Sequence, residues 1–281
     1  MSGFWFTEKN NDGYEVKWKI NKILHSEKTP FQEIAIVDTQ QWGIALILDG
    51  ALQVSEKDEF IYHEMIVHVP MYSHPHPESV LIIGGGDGGT LREVCKHSSV
   101  QTVDMVEIDV RVVDVCKKYL PDIASDFDDH RLKLYIADGI EFVKNPPRQY
   151  DLVIVDSSDP IGPAEQLFTQ GFYANIFKCL KDDGMMVVQS ESPLFYQDVF
   201  RSVYGNISSV FPLTRVYLAP IPTYVSGPWT FTIGSKRYNP SHSINDSDTS
   251  FDLKYYNKQI HASAFALPQF IINMLGSGQA K

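Results

Sequence analysis

Four apolar residues, Val80-Leu81-Ile82-Ile83, run without a break into Gly84-Gly85-Gly86-Asp87-Gly88-Gly89, and apolar positions then recur at helical spacing over 91–96. A short continuous apolar run bounded by turn residues predicts a strand buried on both faces. The same alternation continues downstream. Strands are predicted at 103–108, 132–136, 152–155 and 185–189, and a helix at 112–119, which together give a doubly wound α/β sheet. Two further strands, 213–218 and 229–233, follow one another with no helix between them and predict an antiparallel edge.

Upstream the pattern differs. From Tyr14 to Ser55 the β-prone runs are short, among them 33–37 and 44–48, with Gly43 and Asp49-Gly50 as turns. They predict a small antiparallel sheet. Helical spacing takes over at 56–72, where Phe60, Met65, Val67 and Val69 stand among polar neighbours, until His74-Pro75-His76-Pro77 breaks it. Residues 238–250 are rich in Asn, Ser and Asp and read as an exposed connection, and helical character returns over 255–275, across Pro268. The chain thus divides into an N-terminal β domain (1–55), a linking helix (56–77) and a Rossmann-like domain with a C-terminal helix (78–281).

With 281 residues, 43% apolar and 21% charged, the chain has ordinary globular composition, which excludes a disordered or collagen-like chain. Its formal net charge of −11 opposes a phosphate backbone, so nucleic acid is not an expected partner, and it favours cationic ligands. Many proteins are acidic for solubility alone, so local carboxylates must carry that argument. Cys95, Cys116 and Cys179 form no C-x-x-C pair, which suggests neither a disulfide framework nor a zinc knuckle and fits a cytoplasmic protein. Neither an export signal nor a membrane span is expected.

Candidate chemistry gathers at the strand ends. The glycine loop permits a tight turn, lets a ligand approach the backbone and opens a helix N-terminus; the alternative is merely a tight βα turn. Asp87 inside it would repel pyrophosphate. Glu107 closes the next strand, about 20 residues beyond the glycines, where a carboxylate accepts hydrogen bonds from ribose hydroxyls, unless it is only solvated. Asp138-Gly139 closes the third and can accept from the adenine amine or form a simple turn. The fourth ends in Asp156-Ser157-Ser158-Asp159-Pro160, followed by Ile161-Gly162-Pro163. Asp156 and Asp159 suit a cationic amine, against the alternative of an Asp-rich turn with its own caps.

These stretches, with Leu48-Asp49-Gly50, the run Glu56-Lys57-Asp58-Glu59-Phe60-Ile61-Tyr62-His63-Glu64-Met65, Ile221-Pro222-Thr223-Tyr224 and Leu253-Lys254-Tyr255-Tyr256-Asn257, cover nearly the whole chain. In this order they resemble the spermidine synthase family, the polyamine aminopropyltransferases. The resemblance implies a methyltransferase-type Rossmann-like sheet behind a small β domain. It further implies decarboxylated S-adenosylmethionine as co-substrate, transfer of its aminopropyl group to putrescine, and spermidine and methylthioadenosine as products, with neither prosthetic group nor metal. It puts Gln32, His63, Asp87, Glu107, Asp138, Gly139 and Pro163 around the co-substrate and Asp156, Asp159, Tyr62 and Tyr224 at the diamine. Asp156 is then the catalytic base, with Tyr62 and Tyr224 positioning the nitrogen.

Without the resemblance, Tyr62 and His63 read as a helix core face and Tyr224 as a turn aromatic. Leu194 stands where many family members carry Trp, a smaller wall that bears on acceptor length. Cadaverine, agmatine and spermidine remain alternative acceptors, and methyl transfer to a small amine an alternative reaction. Phe4, Trp5 and Phe6 offer an apolar contact between subunits, and the resemblance implies a homodimer or homotetramer.

Overall fold

The computed structural model describes residues 4–11, 13–158, 162–244 and 252–276. Five strands build the first sheet: β1 (Phe4–Asn11), β2 (Tyr14–Lys28), β3 (Glu33–Thr39), β4 (Gly43–Leu48) and β5 (Ala51–Ser55). Each pairs antiparallel with the next in chain order. The hairpin of β1 with the long β2 extends the expected small sheet.

Helix α1 (Glu59–Ser73) follows, three residues later than the spacing indicates, and ends at His74 as the His-Pro repeat requires. It is not the amphipathic linker that its polar residues suggest. Glu59, His63, Glu64, His68 and Ser73 are all buried with its apolar residues. Burial of so many polar groups demands partners. Glu64 accepts the backbone N–H groups of Lys254, Tyr255 and Tyr256 at 2.7–2.8 Å, which ties α1 to the Leu253–Asn257 motif.

The remaining elements are β6 (Ser79–Gly84), α2 (Gly89–Cys95), β7 (Thr102–Glu107), α3 (Val110–Tyr119), β8 (Leu132–Ile136), α4 (Gly139–Phe142), β9 (Tyr150–Asp156), a 3₁₀ helix (Gly162–Phe168), α5 (Gln170–Cys179), β10 (Leu180–Gln189), α6 (Gln197–Ser208), β11 (Leu213–Ala219), β12 (Trp229–Ser235), α7 (Lys258–Ala264) and α8 (Gln269–Leu275). The C-terminal helix is therefore two short ones, separated before Pro268, whose ring cannot continue a helix. The second sheet has the order β11-β12-β10-β9-β6-β7-β8. Strands β6 to β10 run parallel, and β12 and β11 add the expected antiparallel edge. It is a mixed, Rossmann-like sheet of the methyltransferase type.

The strand order reverses between β6 and β9, with β7 and β8 laid down on one side of β6 and β9 and β10 on the other, and ligands of open α/β sheets bind at the carboxyl ends beside such a switch point. The first sheet roofs that end. Ile34, Ile36, Leu46 and Val54 pack on Val112, Val115, Cys116 and Leu120 from α3 and the turn after it. No helix among the described residues is long and apolar enough to cross a membrane.

Candidate active site

Gly84 and Asp156 lie side by side at the tips of β6 and β9, and Gly85 N–H donates to the Asp156 carbonyl at 2.7 Å. A side chain at Gly84 would collide with that carbonyl, and one at Gly89 with the imidazole of His63. These glycines thus give room to other parts of the protein as much as to a ligand.

Asp87 accepts the N–H of Gly89 at 2.7 Å, and His63 Nε2 faces the same oxygen at 3.3 Å, near enough for an ion pair though off the hydrogen-bond line. On the other side of the ring, Nδ1 lies 2.6 Å from Glu59, which Arg92 grips with both terminal guanidinium nitrogens at 3.1 and 2.8 Å. Burial alone would strip the proton from His63, but Asp87 and Glu59 outweigh it and raise the ring to about 10. Burial likewise opposes ionisation of Asp87, yet the imidazolium and the Gly89 N–H hold its acid below the ordinary value. His63, Asp87 and Asp156 approach one another closely enough to suggest a metal site. With a carboxylate at each nitrogen, however, the ring carries protons on both and has no lone pair for an ion.

Asp156 is buried at the end of β9 and its two oxygens are held separately: Tyr62 OH donates to Oδ1 at 2.8 Å, and Thr90 OH to Oδ2 at 2.7 Å. Burial first, and then the charge of Asp87, raise its acid above the usual range. The Tyr62 ring meets Tyr224 edge-on at 5.9 Å, and Tyr224 OH donates to the Gln53 carbonyl at 2.6 Å. Asp58 fixes this segment from below, accepting from Ser55 OH at 2.7 Å and from Thr223 N–H at 2.8 Å.

Across the switch point, Glu107 is buried and accepts the N–H of Asp109 at 2.9 Å. Burial raises its acid to about 7 against that donor. Asp109 caps α3 and also receives Thr29 OH at 2.7 Å and the Gln32 amide at 3.1 Å, which joins the first sheet to the second. Asp138, exposed, caps α4 through Ile140 N–H at 2.8 Å, which is the turn reading of this residue. Gly139 beside it is buried against Ile83.

One cleft of about 210 Å³ is lined by Gln32, Tyr62, His63, Asp87, Glu107, Asp138, Gly139, Asp156 and Tyr224 together. Its walls between Glu107 and Asp138 are apolar: Ile83, Val106, Ile108, Val112 and Ile140. A side chamber beyond Tyr62 and Tyr224 adds Glu8, Gln189, Glu191, Tyr196 and Trp229. Leu194 is half exposed, and it is Tyr196 and Trp229 that wall this chamber. Asp159 lies outside the described residues, and so does the side chain of Pro163. Sequence reasoning missed Glu59, Thr90, Arg92 and Asp109. The four-residue step from Glu59 to His63 and the hydroxyl opening α2 were the available signals; nothing local points to Arg92.

A parallel sheet with carboxylates at four successive strand tips defines a Rossmann-like enzyme of the methyltransferase type. Residues 59–246 match the family model described as Spermine/spermidine synthase domain, and residues 4–56 the one described as Spermidine synthase tetramerisation domain. The polyamine aminopropyltransferase of Bacillus subtilis is 46% identical over 275 residues, 98% of this chain and 100% of that one. Polyamine aminopropyltransferase 1 of Bacillus cereus is 47% identical over 271 residues, covering 96% and 98%. A crystal structure of spermidine synthase in complex with the transition state analogue AdoDATO superposes with a TM-score of 0.95 at 40% identity, covering 98% of this chain and 96% of that one. The spermidine synthase from Thermotoga maritima gives 0.92 at 40% identity, covering 98% and 95%. The chain belongs to the spermidine synthase family of polyamine aminopropyltransferases and is an enzyme of that class.

Proposed function

We propose that the enzyme moves the aminopropyl group of decarboxylated S-adenosylmethionine to putrescine, releasing spermidine and methylthioadenosine. The observation that carries this reading is the facing pair of carboxylates, Asp87 and Asp156, beside an apolar groove that ends in Glu107 and Asp138. An adenosine suits the groove, with its ribose on Glu107 and its base near Asp138 and Gly139. Gln32, His63 and Pro163 complete that seat. The aminopropyl ammonium of the donor then meets Asp87. The acceptor approaches Asp156 between Tyr62 and Tyr224, whose rings favour a cation, and Asp159 serves the same diamine. The polar chamber lined by Glu8, Gln189 and Glu191 suits its distal ammonium.

The acceptor arrives as an ammonium and cannot attack until it is deprotonated. Asp156 takes that proton, and its raised pKa moves in the direction a general base needs. The freed lone pair attacks the carbon next to the sulfonium, the C–S bond breaks, and its electrons leave on sulfur as a neutral thioether. Alignment of the two reactants offsets about 7–11 kcal/mol of the barrier. The match to the tetramerisation model supports a homo-oligomer.

The test is an assay with decarboxylated S-adenosylmethionine and a panel of diamines, with the nucleoside product separated by chromatography. Methylthioadenosine is expected, with putrescine the best acceptor; S-adenosylhomocysteine from ordinary S-adenosylmethionine would overturn the reading in favour of methyl transfer. Asp156→Asn should lower turnover by about 100-fold or more at neutral pH. Near wild-type turnover removes Asp156 as the base.

A further inference from the structure

Arg92, Glu59, His63 and Asp87 form an unbroken row of alternating charge, from a guanidinium at the edge of α2 to the carboxylate in the glycine loop. Its middle members are inaccessible: His63 is 0% and Glu59 6% exposed. Paired charges buried this deeply are a costly way to stabilise a fold, since apolar residues of similar size serve as well or better. A role in the site accounts for them. The ring is immobilised on every side, because Gly89 packs against it, Tyr62 meets it edge-on at 5.4 Å, and Asp156 stands close by with Asp87.

We propose that Glu59 and Arg92 are positioning residues for donor binding: they hold His63 as an imidazolium that faces Asp87 and thereby fix the place and the negative charge of that carboxylate. The inference rests on Asp87 being the seat of the donor's ammonium. Two acids, Asp87 and Asp156, share one pocket and repel each other. Without a cation between them, one of the two would take up a proton, and the loop carboxylate would lose its hold on a cationic ligand. The charged groups that face the ring are Glu59 from its own helix, Asp87 from the glycine loop and Asp156 from β9, with Arg92 of α2 behind Glu59. Neutralising Glu59 removes one of the carboxylates that keep the ring protonated. The effect on Asp87 is then indirect, through the ring.

Calorimetry with decarboxylated S-adenosylmethionine on Glu59→Gln, Asp87→Asn and the double variant of the full chain tests this, together with the putrescine KM and ¹⁵N-histidine spectra. The His63 signal is assigned by its loss in His63→Gln. Glu59→Gln should weaken the donor by at least about tenfold, leave the putrescine KM within about twofold, and bring His63 titration below that of the native protein measured alongside. In the Asp87→Asn background the further loss should shrink to about twofold or less, because the two sites are coupled. Equal losses in both backgrounds, or full donor affinity in Glu59→Gln while Asp87→Asn is weakened, overturn the positioning role and leave the reading of Asp87 standing. Full affinity in Asp87→Asn itself overturns that reading instead. Arg92→Lys, which keeps the charge but loses the two-pronged grip, carries the same cycle if Glu59→Gln fails to fold, with a smaller loss expected.

Discussion

If Asp87 seats the donor's ammonium as proposed, it distinguishes two sulfonium donors that differ only in a carboxylate. At an effective dielectric of ~20, two like charges ~4 Å apart cost about 4 kcal/mol, enough for several hundredfold discrimination against ordinary S-adenosylmethionine. Asp87→Asn should therefore narrow the ratio of the two affinities measured by calorimetry, and an unchanged ratio refutes this account. Glu107 gives a second test, in pH. Burial raises its pKa to about 7, so it gains a proton as pH falls through that value and, if it holds the ribose as proposed, loses one of its acceptors for the hydroxyls. Donor affinity should fall on acidification through this range, and Glu107→Gln should remove the step; a step that persists assigns it to another group. The strand-tip acids were legible because a carboxylate that ends an apolar run has few places to go. Arg92 was not, since its partner Glu59 lies 33 residues away and only the packing of α2 on α1 joins them.

Helix α1 explains where pattern reading reaches its limit. Its polar and apolar residues are interleaved, yet nearly all are buried, so spacing reports a helix but not which face is solvated. What disposes of the polar groups is long-range pairing. Glu64, for instance, finds backbone donors 190–192 residues away. Glu64→Gln replaces an acceptor-only group with one that also carries donors, against three N–H groups that need acceptors. A loss of about 1–3 kcal/mol is expected, read as a lower urea midpoint with unchanged slope. An unchanged midpoint would mean that the segment finds other acceptors. The parallel strands, by contrast, were plain in the sequence, because burial on both faces leaves an uninterrupted apolar run.

At the scale of the whole molecule, Phe4, Trp5 and Ile23 are 71%, 59% and 62% exposed on the first sheet. Large exposed apolar side chains on a sheet that matches the tetramerisation model favour an association surface there. Replacing Trp5 with Asp and Ile23 with Ser should lower the mass found by analytical ultracentrifugation, and an unchanged mass moves the contact elsewhere. The two-sheet organisation was readable from the change in periodicity near Glu56. That the first sheet roofs the cleft was not, because the tie from Gln32 to Asp109 spans 77 residues.

The hydrogen bond from Gly85 to the Asp156 carbonyl belongs to the main chain, and of all substitutions at Gly85 only proline removes its donor. On the proposed reading, the spacing between the donor's seat and the base is accordingly inherited from the sheet, while the far chamber is lined by side chains. On that reading an engineer seeking a longer or shorter amine has freedom at Tyr196, whereas Trp229 packs on Tyr224 at 4.7 Å and a change there reaches the reaction centre.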